Sequence, residues 1–158
     1  MKPKRATIPF VSLAVLAAIL LLVDSVGFGV LGGAQSNSTG TLVIRITELR
    51  SAKARLRIAV FNSQKNWLHD ASAIYKTVLD GESREPEWRV QSVPYGEYAV
   101  AVFQDENRDG KLNRNFLGIP REPYGFSNNA RGSFGPAKWE DAKFVVTAAT
   151  TELEIKVQ

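Results

Sequence analysis

Beyond residue 40, apolar side chains recur at every second position. Leu42, Ile44 and Ile46 alternate with Val43, Arg45 and Thr47, and Leu56, Ile58 and Val60 alternate with Arg55, Arg57 and Ala59. This is the period of a strand buried on one face. Residues 74–79, the stretch around Trp88, Val90 and Val93, residues 142–147 and residues 152–157 read the same way, the last with Leu153, Ile155 and Val157 on one face. Tyr98 to Phe103 is nearly unbroken in apolar character, which marks a central strand covered on both faces.

The connections complete the pattern. The short 50–54 link suggests a hairpin between the first two strands, residues 62–73 are polar and turn-like, and the last two strands are expected to pair with each other. Pro94-Tyr95-Gly96 reads as a type II turn, in which proline fixes its own backbone angle and glycine takes a positive φ. No long helical period occurs after residue 34. The expectation is all-β: a single seven-stranded immunoglobulin-like or transthyretin-like β-sandwich over residues 41–158 with one long ordered loop.

The first 34 residues are of another kind. Lys2, Lys4 and Arg5 precede an apolar stretch from Ile8 to Val23, and small residues follow at Gly32-Gly33-Ala34, the order of a signal peptide. Apolar character resumes after Asp24, so residues 8–31 also approach the roughly 20 residues with which a retained helix crosses a bilayer. Cleaved signal and membrane anchor both put the domain outside the cytoplasm, in the periplasm or at the cell surface, because the positive charges precede the apolar run. A Ser/Asn/Gly-rich linker is expected over residues 35–40.

Charge and cysteine narrow the class. Of the formal net charge of +4, the first 34 residues carry three positive charges and one negative, which leaves +2 for the domain. Arg45, Arg50, Lys53, Arg55 and Arg57 are outward strand and link positions, so no nucleic-acid surface is expected. The chain has no cysteine. The exported domain therefore relies on burial alone.

Asp105-Glu106-Asn107-Arg108-Asp109-Gly110-Lys111-Leu112-Asn113 sets oxygen-bearing side chains at alternate positions around one glycine. Calcium loops use this spacing: Asp105, Asn107 and Asp109 would be the first alternate ligands, Lys111 would offer its carbonyl, and Asn113 would add a ligand or hold a water. Phe116 falls where such a loop carries a bidentate glutamate, and Glu122 is the carboxylate that would have to fold back. The same residues also make an Asx-rich turn with no metal. A cation, if bound, is calcium rather than zinc, since the run offers oxygen and no thiol or imidazole.

Residues 116–130 are too apolar for a floppy linker and too rich in glycine and proline for a regular element, so they form an ordered loop. Tyr124, Phe126, Asn128 and Asn129 are its ligand-contact candidates, although loop aromatics also serve to pin a loop to the sheet beneath. Catalytic groupings are absent from the spacing. His69 beside Asp70 lacks a sequence-defined serine partner, and Glu85, Glu87, Glu122 and Asp105 show no spacing that selects a glycosidase pair.

Pro94-Tyr95-Gly96-Glu97-Tyr98-Ala99-Val100 leading to Asp105-Glu106-Asn107, then Gly110-Lys111-Leu112, Gly118-Ile119-Pro120, Tyr124-Gly125-Phe126-Ser127-Asn128-Asn129 and Glu140-Asp141-Ala142, resemble the bacterial domain of unknown function family 2141. The resemblance runs from about Thr41 to Val157. It implies an exported β-sandwich whose biochemical role is not established, and it supplies no catalytic residue. The family pattern often has aspartate where this chain has Asn113. The functional expectation is a non-enzymatic binding or structural module with an envelope glycan or protein as partner. An envelope hydrolase using carboxylates or His69 is the alternative.

Overall fold

The computed structural model describes residues 38–158 apart from 52, 81, 82 and 84. The signal or anchor expected over residues 1–34 lies outside the described residues. The end of the expected linker is already strand, since β1 spans Thr39–Thr47. There follow β2 (Arg55–Phe61), β3 (Tyr75–Asp80), β4 (Glu87–Pro94), β5 (Gly96–Asp105), β6 (Tyr124–Phe126), a single helical turn α1 (Trp139–Ala142), β7 (Phe144–Val146) and β8 (Thr150–Lys156).

The strands form two sheets, one ordered β4-β1-β8 and one ordered β3-β2-β5-β6, with β7 also paired to β5. The fold is therefore all-β, with eight strands among the described residues where seven were expected. The additional one is β6. Its three residues lie inside the Gly/Pro-rich segment and are too few to show a period.

Three local expectations are corrected. β1 and β2 form no hairpin: β1 pairs with β4 and, in parallel, with β8, whereas β2 pairs with β3 and β5. Nor do the last two strands pair, because β7 lies against β5 and β8 against β1. Alternation specifies which face of a strand is buried and leaves its neighbour open. At Pro94-Tyr95-Gly96 the chain passes from one sheet to the other by a bend at Tyr95, and Gly96 is not among the positive-φ glycines, so no type II turn forms.

The main core lies between the sheets. Leu42, Ile44 and Ile46 of β1, Val90 and Val93 of β4 and Ile155 of β8 meet Leu56, Ile58 and Val60 of β2 and Tyr98, Val100 and Val102 of β5. Each such side chain contributes about 1.5–3 kcal/mol by leaving water. The intervening residues face the other way. Ala59, Phe61, Ala99 and Ala101 join Trp67, Phe126, Trp139 and Ala142 in a second cluster on the outer face of the five-stranded sheet. The uninterrupted apolar run of β5 thus reflects two covered faces.

Two devices tie the long 106–143 segment to this frame. Trp67 sets its ring 5.3 Å from Phe61, 5.6 Å from Phe126 and 6.0 Å from Trp139, while its Nε1 donates to the Ala137 carbonyl at 2.8 Å. On the other side, Tyr124 and Gln158 exchange backbone hydrogen bonds of 3.1 Å, so β6 joins the chain end that follows β8 and links the two sheets.

Candidate functional site

Asp105 is the last residue of β5, and its position there makes it the neck of the acidic loop. The carboxylate is fully buried. Its Oδ2 accepts from Arg57 Nε at 2.7 Å and from the Gly110 amide at 2.9 Å, while Oδ1 is buried with no hydrogen-bond partner among the described residues. Gly110 stands at φ 84, a left-handed conformation that glycine adopts without steric cost, and an added Cβ would crowd the Arg57 guanidinium.

The rest of the loop is organised around Asp109. Its Oδ1 accepts from Lys111 N at 2.8 Å, and its Oδ2 from the side-chain amides of Asn113 at 2.9 Å and Asn107 at 3.1 Å. Asn107 Oδ1 in turn accepts from Asp109 N at 3.2 Å. The Asn113 amide, followed by Lys111 N–H and the Asn107 amide, holds the Asp109 carboxyl below the usual aspartate range. The Asx-turn bonding expected of these residues is thus present.

Glu122 folds back, but its oxygens go to the chain. Oε1 accepts from Glu106 N and Oε2 from Asn113 N, both at 2.9 Å, with the side chain 5 % exposed. It clamps the entry and the exit of the loop together. Phe116 is 94 % exposed and supplies no ligand. Among the described residues no group of three or more His, Asp or Glu side chains is placed to hold a metal ion. Any cation site here would have to draw on amide and carbonyl oxygens beside Asp105 and Asp109.

The four ligand-contact candidates separate. Phe126 is buried in the second core, and Tyr124 is half-buried beside it at 5.6 Å between rings. Both border a groove. Asn128 donates to the Asp141 and Lys143 carbonyls at 3.2 and 2.8 Å, and Asn129 accepts from Lys156 N at 2.8 Å. These two amides stitch the loop to its neighbours and do not line the groove.

The groove lies on the outer sheet face and borders the second core, with which it shares Ala59, Phe61, Ala101, Tyr124 and Phe126. It encloses about 1220 Å³, with Ala59 and Ala101 at the floor and Leu117, Ile119 and Phe134 among its loop walls. Phe134 is fully exposed, and Leu117 and Ile119 are more than half exposed. Val78 of β3 is exposed on the same side, and β3 pairs only with β2, so its other edge is unpaired among the described residues. Sequence reading missed the role of Arg57 and this groove. Arg57 reads as one more outward strand arginine until β2 and β5 are seen as neighbours.

Several of the alternative catalytic carboxylates already have partners within the protein. Asp70 accepts from Lys76 Nζ at 3.1 Å rather than from His69, Glu87 is held by Arg45 and Arg89, and Asp105 and Glu122 are engaged at the loop neck.

Residues 44–154 match the sequence family described as "Uncharacterized protein conserved in bacteria (DUF2141)". The chain belongs to the DUF2141 family. The match agrees with the resemblance carried by the Gly-Ile-Pro and Gly-Phe-Ser-Asn-Asn stretches, both of which lie in the segment that forms the loop and β6. No curated protein and no solved structure matches this DUF2141 chain.

Proposed function

We propose that this protein is an exported, non-enzymatic binding module that holds an extended segment of an envelope protein in the groove beside β3. The observation that carries this reading is the joining of a strand edge, unpaired among the described residues, to an exposed apolar wall. Peptides commonly bind by adding a strand to such an edge and setting alternate side chains into neighbouring pockets. Leu117, Ile119 and Phe134 are exposed apolar side chains gathered at this one groove rather than scattered singly. The wall mixes aliphatic and aromatic side chains, Leu117 and Ile119 with Phe134, and it is its place beside a strand edge that favours a protein segment over a glycan.

The strand connectivity supports a transthyretin-like sandwich over the immunoglobulin-like alternative. In the immunoglobulin arrangement the first two strands share a sheet, and here β1 and β2 do not. Export rests on the charge order of the first 34 residues. A mature N-terminus at Gln35, read by mass spectrometry, supports cleavage, and intact soluble protein in the cytosol would overturn export. Tyr95 N donates to Ser38 O at one end of β5 while the loop leaves Asp105 at the other. A ten-residue strand is about 30 Å long, so the loop stands well away from the point where the domain begins.

The test is affinity capture from envelope extract with the full chain and with Val78→Lys and Phe134→Ser variants. Retention of one envelope protein by the wild type, lost in both variants while melting is unchanged, is the expected result. Retention of a glycan instead reassigns the partner. Turnover of a hydrolase substrate that is abolished by His69→Ala overturns the reading.

A further inference from the structure

We infer that the Asp105 loop is a low-affinity calcium site in which the buried Asp105 Oδ1 is a direct ligand. Gly110 and Lys111 of this loop also border the groove, but the cation site does not depend on what occupies the groove.

The observation that points to a ligand is the orphan oxygen. Asp105 is fully buried, and among the described residues Oδ1 has no hydrogen-bond partner although Oδ2 has two. A buried carboxylate oxygen left unpaired is costly and calls for a water or an ion. The Gly110 amide donates to Oδ2, which ties the Asp105 carboxylate directly to the loop that carries Asn107 and Asp109.

Two further oxygens of this loop accept no hydrogen bond among the described residues, the Lys111 carbonyl and Asn113 Oδ1. With Asp105 Oδ1 they occupy the first, seventh and ninth positions counted from Asp105. In a calcium loop these supply a carboxylate, a backbone carbonyl and a ligand that often acts through water. Asp109 and Asn107, the fifth and third positions, already turn toward one another. The hydrogen-bonded network that lacks a metal thus leaves unpaired three of the oxygens that such a loop offers to one.

The charges set the affinity. Arg57 already faces Oδ2, Lys111 and Arg114 lie in or beside the loop, and Glu122 is committed to two backbone amides. Two carboxylates with neutral oxygens and water form a weak site. The dissociation constant belongs in the range of extracellular modules, on the order of 10⁻⁴–10⁻³ M. Magnesium, which demands a tighter octahedral shell, is expected to bind less well.

Titration of the purified full chain with calcium chloride tests this directly, followed by calorimetry, melting and the amide shifts of Gly110 and Lys111. Saturable heat, a melting temperature raised by a few degrees at ~10 mM calcium, and amide shifts confined to the loop are expected. Asp109→Asn removes an exposed carboxylate and keeps a side-chain oxygen to accept from Lys111 N, so it is expected to fold normally and lose the calcium response. Absence of heat with an unshifted melt at ~10 mM calcium would leave Oδ1 to a water and overturn the site. An equal response to magnesium, or a full calcium response in Asp109→Asn, would overturn it as non-specific charge screening.

Discussion

Ser127 Oγ accepts the backbone N–H of Val100 at 2.9 Å from outside the strand ladder, and it donates to the Ala142 carbonyl at 2.5 Å. The position matters because β7 pairs with β5 at 96–98 and β6 pairs with it at 101–103, which leaves a gap between the two short strands. One hydroxyl fills that gap and satisfies both a buried donor and a buried acceptor. Ser127→Ala is expected to cost about 2 kcal/mol, since both groups stay buried and lose their partner. Chemical denaturation checks this, and a loss under ~0.5 kcal/mol would mean that water replaces the hydroxyl. Val100→Asp at the same spot places a carboxylate in the main core and is expected to cost at least ~4 kcal/mol or to prevent folding.

Gly125 is the second point at which the loop segment is built to fit. A Cβ there would overlap the Lys156 carbonyl oxygen and press on Ile155 Cγ2. Gly125→Ala forces β6 away from the end of β8 and breaks the Tyr124–Gln158 pairing, with an expected loss of about 1–3 kcal/mol. Hydrogen exchange should place the effect at the Tyr124 and Gln158 amides. Uniform exchange across the domain, with no local loss of protection, would show that β6 is not an independent link between the sheets.

The sequence carried the strands and their buried faces because period-2 alternation is a local signal. Leu42, Ile58 and Ile155 fell inside as expected, and the two-faced cover of β5 followed from its composition alone. Partner choice was not legible: the same alternation fits a β1–β2 hairpin and the observed crossing between sheets equally well. β6 was hidden for a different reason, since its pairing depends on β5 and the chain end rather than on its own three residues. At the loop, the spacing of Asp105, Asn107 and Asp109 predicted the Asx turns. It did not reveal that Arg57 holds one Asp105 oxygen or that Glu122 spends both of its own on backbone amides.

Stability should fall at both extremes of pH for separate reasons. Lys156 and then Gln158 hold the Glu48 carboxyl low, and Arg45 does the same for Glu152. Carboxyls with lowered folded values add stability above their unfolded value, near 4.3, and lose it as pH falls through the folded value. The opposite holds for Lys143, raised by Glu140 and Glu97, for Lys156, raised by Glu48, and for Tyr98, raised mainly by burial. Their contribution is complete below about pH 10 and is lost as pH rises through the raised values. Melting measured across pH should show a plateau between these limbs. Glu152→Gln should flatten the acid limb; an unchanged limb would mean that the exposed Arg45 pair contributes nothing.

Arg57 and Asp105 form the ion pair at the base of the loop, with the carboxylate fully buried and the Arg57 side chain 31 % exposed. Removing the cation alone leaves the carboxylate in place without its charge partner. Arg57→Met keeps much of the apolar stem and deletes the guanidinium, so packing is largely retained. The expected cost is about 3 kcal/mol, at the lower end of the range for breaking a buried pair because the guanidinium is partly in water. Adding Asp105→Asn removes the stranded charge while an amide oxygen still accepts from Gly110 N, so the double variant should be more stable than Arg57→Met alone. Urea melts of the wild type, both single variants and the double variant give the coupling energy. A coupling within ~0.5 kcal/mol of zero would show that the 2.7 Å contact contributes no net stability and that the loop is held at its neck by the Gly110 and Glu122 hydrogen bonds instead.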